Sequence, residues 1–290
     1  MHPFAYVAPK TVKEAVQALN KYGDRARPLA GGTDILVQTR GGRFNLDALV
    51  DMKTVPELMR VTLDGTGLEI GAGVPCYQLY ENPKVSAAYP GIIDAASLIG
   101  GIQIQSRAGL GGNLCNASPS ADGTCPLIVH SAVAVIAGPR GTRQVPVEDF
   151  CTAPGRSVLG KGELLVALKL PKPPVRFGAA YERFIPRNEM DIAVVGVASA
   201  VTLDVSGRNI KSARIALAAV GPTPIFARAA SDYLTGKPAN EASIGQAASM
   251  AKAAARPITD MRGTIEQRKH LVEVLTRRTL TRAVERARGK

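Results

Sequence analysis

The chain has 290 residues, 46% of them hydrophobic and 21% charged, which is the composition of one large folded domain or two ordinary ones. A net charge of +12 invites a nucleic-acid or acidic partner, but Trp is absent and aromatics reach only 4%, against stacking platforms for single-stranded nucleic acid. No apolar run approaches the roughly 18–20 residues of a membrane span, and the N-terminus MHPFAYVAPK lacks an export signal, so a cytoplasmic protein is expected.

Along the chain, Thr11 and Glu14 form a capping box, and Val12, Ala15, Val16 and Leu19 follow at helical spacing. Arg27 to Ala30 reads as a brief strand entering the Gly31-Gly32 turn, with Thr33 or Asp34 able to cap the next helix. Ala48 to Asp51 is a second short strand. Val61, Leu63, Leu68 and Ile70 flank a hairpin turn, and Pro90 to Ile99 reads as a helix. A polar, glycine-rich stretch comes next, QSRAGLGGNLCNASPSADGTCP, read as loop. Strands are expected at Ala132–Ile136 and Leu164–Leu168. Pro171, Pro173 and Pro174 mark a linker. Beyond it come strands at Gly178–Phe184, Ile192–Leu203 and Ile210–Val220. Helices close the chain at Ala227–Leu234, from Glu241 onward, and near 265–287. The class is α+β.

Metal chemistry finds little support. Cys76, Cys115, Cys125 and Cys151 form no CxxC pair, against a zinc ribbon or ferredoxin-type cluster on this chain. His2, His130 and His270 fit no HExxH or facial-triad spacing. No Ser–His–Asp or paired-carboxylate arrangement suggests a catalytic residue either.

Two glycine turns carry the chemistry. The first is Leu29-Ala30-Gly31-Gly32-Thr33-Asp34-Ile35. The second is Gly109-Leu110-Gly111-Gly112-Asn113, continuing to Asn116, Ser118 and Asp122. Glycines let backbone N–H groups converge on an anion, and Thr, Asn and Ser add neutral hydrogen bonds. Neither turn is a P-loop, and Leu114 stands where a Rossmann fingerprint needs its third glycine. Both also read as plain tight turns. Asp34 reads equally as a helix cap, Asp122 as a turn residue before Gly123, Arg183 as a solvated strand side chain and Cys115 as a small buried hydrophobe.

LAGGTDILVQTR, LGGNLCNASPSAD and YERFIPRNEMDIAVVGVA, with ARIALAAVGPTPIFARAA and PITDMRGTIEQRKHLVEVLTRRTL, resemble the FAD-binding medium subunit of the molybdenum hydroxylases. These are the xanthine dehydrogenase, carbon monoxide dehydrogenase and aldehyde oxidase type enzymes. The resemblance implies a two-subdomain FAD-binding domain of the p-cresol methylhydroxylase/vanillyl-alcohol oxidase type over 1–172, with subdomains of about 1–55 and 56–172. A sheet-plus-helices C-terminal domain completes the chain over 173–290. It implies that Leu29, Ala30, Gly31, Gly32, Thr33, Asp34 and Ile35 wrap the FAD pyrophosphate. Ala108, Gly109, Gly111, Gly112, Asn113, Asn116 and Ser118 form the second cradle. Asp122 would bond a sugar hydroxyl, Ile99 would reach the adenine side, and Tyr181 and Arg183 would approach the flavin ring.

The implied partners are a small subunit with [2Fe-2S] clusters and a large molybdopterin subunit, as a dimer of heterotrimers, with an external electron acceptor. Three positions depart from the family pattern. Gly109 stands where Thr or Ser is usual, Arg183 where Lys is usual, and Gln267 where Tyr is usual. A stand-alone FAD-dependent oxidoreductase on the same flavin fold is the alternative, and needs its own proton donor. A nucleic-acid-binding protein rests only on the charge. That charge concentrates in residues 251–290, which hold eleven basic and four acidic side chains. They read as a solvated helical face with Val272, Leu275, Thr279 and Ala283 as its buried stripe, or as a surface docked on an acidic partner.

Overall fold

The computed structural model describes residues 2–289. Its first layer is small: strand β1 (Ala5–Val7), helix α1 (Val12–Tyr22), β2 (Ala26–Leu29), α2 (Ile35–Arg40) and β3 (Ala48–Asp51). The strands form a parallel sheet in the order β1-β3-β2; α1 carries the chain from one edge strand to the other, and α2 makes the crossover between the parallel neighbours β2 and β3. Thr11 caps α1 by accepting the Glu14 N–H at 3.1 Å. The Glu14 carboxylate reaches back one residue further than a capping box requires, to the Lys10 N–H at 2.7 Å. α1 buries Ala15, Val16 and Leu19 against Ala48 and Val50, and this core is continuous with Ala137 and Leu164 of the next sheet.

The second layer begins with the expected hairpin of β4 (Val61–Leu63) and β5 (Gly67–Gly71). Short helices come next: α3 (Cys76–Tyr80), α4 (Pro83–Ala88), α5 (Pro90–Ala96), α6 (Ile102–Gln105), α7 (Leu110–Cys115) and α8 (Thr124–Val129). Strands β6 (Val133–Gly138), β7 (Gly141–Pro146), β8 (Cys151–Ala153), β9 (Arg156–Ser157) and β10 (Leu164–Pro171) complete it. The five-stranded antiparallel sheet runs β4-β5-β10-β6-β7. Two expectations change here. The helix from Pro90 stops at Ala96, three residues short of Ile99. The glycine-rich stretch read as loop holds α7 and the start of α8, and α6 overlaps its beginning. Helices of four to six residues are too short to show a periodicity, and their support comes from packing.

The third layer is β11 (Phe177–Phe184), β12 (Val195–Leu203), β13 (Ile210–Ala218) and β14 (Ile225–Phe226), an antiparallel meander. It continues into α9 (Arg228–Tyr233), α10 (Glu241–Ala254) and α11 (Ile265–Ala287). β12 is buried on both faces, and its residue sizes alternate accordingly. Val197 and Val201 join the core made with α9–α11, whereas Ala198 and Ala200 join the core shared with α5 and α8. Gly178 lets α11 approach closely: a Cβ there would sit 2.0 Å from the Ala283 carbonyl oxygen. Val272, Leu275, Thr279 and Ala283 form the buried stripe of α11 as expected.

The solvated-face reading of the basic tail needs revision. Arg286 pairs through two nitrogens with Asp94, at 2.6 and 2.9 Å, and Arg268 is buried on Asp260 and two backbone carbonyls. Arg278 and Arg282 both meet Glu182 of β11, and Arg277 and Lys252 meet Glu273. Much of the local excess charge thus fastens α11 to the sheet and to α5.

Candidate functional site

A cleft of about 970 Å³ runs between the first and second layers. Ala30, Gly31, Gly32, Thr33, Asp34 and Ile35 line one wall, in the turn between β2 and α2. Ala108, Gly109, Gly111, Gly112, Asn113, Asn116, Ser118 and Asp122 line the other, and Ile99 joins them. Leu29, Tyr181 and Arg183 do not line the cleft; Leu29 lies at the end of β2, and the other two lie behind Asp122.

The glycines do different jobs. Gly32 has φ of +82°, a conformation that favours glycine. Gly31, Gly109 and Gly111 are required by close backbone approach. A Cβ on Gly31 would lie 2.0 Å from the Arg107 carbonyl oxygen, on Gly109 2.2 Å from that of Val74, and on Gly111 2.4 Å from that of Ala72. Gly112 differs, because a Cβ there would meet nothing within 4 Å. It opens onto the cleft.

One polar bond joins the walls and another braces the second wall. Gln38 Nε2 donates to Asn116 Oδ1 at 2.9 Å, and Asn113 Oδ1 accepts the Gly123 N–H at 3.0 Å. Between Asn116 and Ser118, Ala117 holds φ of +49°, a strained conformation for a residue with a Cβ. Its carbonyl accepts the Gly155 N–H at 2.9 Å, which ties the strained turn to the β8–β9 hairpin.

Asp122 is buried at the end of this wall. Its Oδ1 accepts from the Tyr181 hydroxyl at 2.6 Å, and its Oδ2 pairs with Arg183 at 2.5 Å. Arg183 is therefore a buried ion-pair partner, and the solvated reading fails: its side chain is only 5% exposed. Burial holds the Asp122 carboxyl above the usual carboxylate range, while Arg183 and Tyr181 act in the opposite sense. Burial likewise carries the Tyr181 phenol well above its ordinary value.

Asp34 does not cap α2, since its side chain makes no capping bond. It lines the cleft, and partial desolvation raises its carboxyl. Cys115 also lines the cleft, with its thiol pushed up to about 12 by burial, in keeping with a packed hydrophobe. Arg187 pairs with Asp191 at 3.3 Å.

Sequence reasoning missed one end of the cleft. There Arg27 and Arg43 stack on the Phe44 ring, 4.8 and 5.3 Å from its centre, with Arg156 and Lys161 nearby on the lining. These side chains come from four separate loops or strands, and no local pattern announces them.

Residues 2–173 match the family described as the FAD binding domain in molybdopterin dehydrogenase, and residues 179–283 match the CO dehydrogenase flavoprotein C-terminal domain. The chain belongs to the FAD-binding medium subunits of the molybdenum hydroxylases. It is 33% identical to the xanthine dehydrogenase FAD-binding subunit of Escherichia coli O157:H7, over 100% of this chain and 99% of that one. Among solved structures it is similar to reconstituted CO dehydrogenase from Oligotropha carboxidovorans, with a TM-score of 0.93 at 32% identity over 98% and 99% of the two chains. Quinoline 2-oxidoreductase from Pseudomonas putida 86 gives 0.91 at 28% identity over 99% and 98%.

This molybdenum hydroxylase medium subunit is thus an FAD-dependent oxidoreductase subunit, of the expected α+β fold, with FAD as the cofactor of this chain. A molybdopterin cofactor and iron–sulfur clusters on partner subunits fit the carbon monoxide dehydrogenase family. The residues present fit FAD. The cleft volume is at the upper end of the roughly 300–1,000 Å³ usual for ligand pockets, and Gly112 leaves open space where a side chain would intrude. Among the described residues no helix is long and apolar enough to cross a membrane.

Proposed function

We propose that this subunit passes electrons from [2Fe-2S] clusters on a small partner subunit to an external acceptor through its FAD. Substrate would be hydroxylated at the molybdopterin cofactor of a large partner subunit. The observation that carries the reading is the convergence of both glycine turns on one cleft. FAD supplies the redox chemistry, and the protein supplies position and electrostatics.

In this reading the cleft residues from Ala30 to Ile35 and from Ala108 to Asp122 hold the cofactor, with Ile99 on its adenine side. Tyr181 and Arg183 act on it through Asp122, whose two oxygens they occupy. The FAD-binding domain spans 1–172 and the C-terminal domain 173–290. The assembly is a dimer of heterotrimers in the cytoplasm.

The test compares the isolated FAD-loaded chain with the chain co-expressed with its two partners. Both are mixed anaerobically with a panel drawn from the relatives' substrates, such as xanthine, carbon monoxide and nicotinate. Flavin absorbance should bleach only in the complex. Full bleaching of the isolated chain by one of these compounds would favour a stand-alone flavoenzyme and defeat the subunit reading.

A further inference from the structure

A cleft wall built of glycines has no side chains to set the direction of its peptide groups. In the turn between β2 and α2 that direction is imposed from outside. Lys53 Nζ donates to the Ala30 carbonyl at 3.0 Å, and Arg107 Nε donates to the Gly31 carbonyl at 2.9 Å. The two cations come from different parts of the fold, one just after β3 and one just after α6. Lys53 is itself fixed. Its Nζ lies 2.5 Å from Asp51 Oδ1, and the Tyr6 hydroxyl holds the other Asp51 oxygen. Asp51 is buried at the end of β3.

A trans peptide points its C=O and N–H in opposite directions. The Ala30 carbonyl on Lys53 therefore turns the Gly31 N–H away from Lys53. The Gly31 carbonyl on Arg107 likewise turns the Gly32 N–H away from Arg107. Among the described residues, neither N–H donates to a protein acceptor, and both glycines line the cleft. Both glycines are half-buried, so the cleft wall presents two consecutive backbone donors to an anionic ligand.

We propose that Lys53 and Arg107 are positioning residues that aim the Gly31 and Gly32 N–H groups at the pyrophosphate of the dinucleotide. This rests on reading the cleft as the FAD site. The two residues act differently. The charge of Lys53 is neutralised by Asp51, so it works through direction alone. Arg107 has no acidic partner among the described residues, so it adds long-range attraction, which salt screens.

The test uses the full chain stripped of flavin and titrated with FAD and with ADP at low and high salt. Lys53→Met and Arg107→Met should each weaken FAD and ADP by the same factor, roughly tenfold, the scale of one charge-assisted hydrogen bond. Arg107→Met should also flatten the salt dependence, while Lys53→Met made together with Asp51→Asn, which removes both charges of the pair, keeps the wild-type slope. A general loosening of the fold would not separate the two slopes. Wild-type affinity in Arg107→Met, to within about twofold, would overturn the proposal on its own, because this exposed side chain is not needed for folding even if Lys53→Met is unstable. Weakened FAD with unchanged ADP would also overturn it. A wild-type chain that binds no ADP would sink the reading of the cleft itself, which is a separate failure from indifferent variants.

Discussion

Placing threonine at position 109 should damage this protein. Gly109 has φ of −133° and ψ of 162°, which any residue adopts, so the obstacle is steric. A Cβ would lie 2.2 Å from the Val74 carbonyl oxygen, a backbone atom that moves only with its segment. That segment is held next door by the Cys76 N–H donating to the Ala108 carbonyl at 2.8 Å. Overpacking of this kind costs about 1–3 kcal/mol, and a strained backbone hydrogen bond about 1 kcal/mol more. A loss of about 3 kcal/mol lowers Tm by roughly 6–12 °C in a chain of this size class.

The assay is thermal unfolding of the chain by circular dichroism, with FAD affinity by fluorescence titration. Gly109→Ala should lose nearly as much as Gly109→Thr, because the first carbon makes the clash. Gly112→Leu is the contrast: its Cβ meets nothing, so Tm should hold while FAD binding is lost to the side chain filling the cleft. A Gly109→Thr variant with unchanged Tm and tighter FAD binding would refute the steric argument.

Buried groups and ion pairs set the other outcomes. Asp122→Ala leaves the Arg183 charge buried without its partner and should destabilise by about 3–5 kcal/mol in urea unfolding. Acid stability should fall in two windows. His130 is buried against Tyr89 and Phe177, and burial lowers its pKa from 6.5 to about 4. Its neutral form supports folding above pH 6.5, and that support is lost as pH falls towards 4. His130→Phe should flatten that part of the profile of Tm against pH. The hydrogen bond from Arg143, chiefly, holds the Glu163 carboxyl down to about 2 from 4.5, so its support is lost between pH 4.5 and 2, and Glu163→Gln should flatten that limb. Unchanged slopes would contradict each assignment. Replacing Arg278 and Arg282 together with Gln should cost no more than about 1 kcal/mol per pair, because both side chains are well exposed and screened. Subunit assembly measured by size exclusion should survive if those charges serve Glu182; dissociation would restore the acidic-partner reading.

Much of the fold was legible because its signals are local. The cap at Thr11, the short strand over Ala48–Asp51, the hairpin at Val61–Ile70 and the long helix over 265–287 each arise from spacing within one segment. The two glycine turns were legible for the same reason, and the order of the motifs carried the family. What sequence spacing misses is who stands opposite. Gly31, Gly109 and Gly111 look like flexible punctuation, yet each is fixed by a carbonyl oxygen from a distant segment. Arg183 on an alternating strand looks solvated, yet it is buried on Asp122, 61 residues away in the chain.

The +12 charge shows the same division. Its amount and its concentration in the last forty residues are properties of the sequence alone. Its use is decided by tertiary structure: Arg286 grips Asp94 across 192 positions, and Arg278 grips Glu182 across 96. Coulomb pairing depends on distance in space, and hydrophobic periodicity on distance along the chain. The sequence therefore determined the elements and the cofactor family, while folding decided which glycines face the cleft, which charges are paired and which peptide groups remain free.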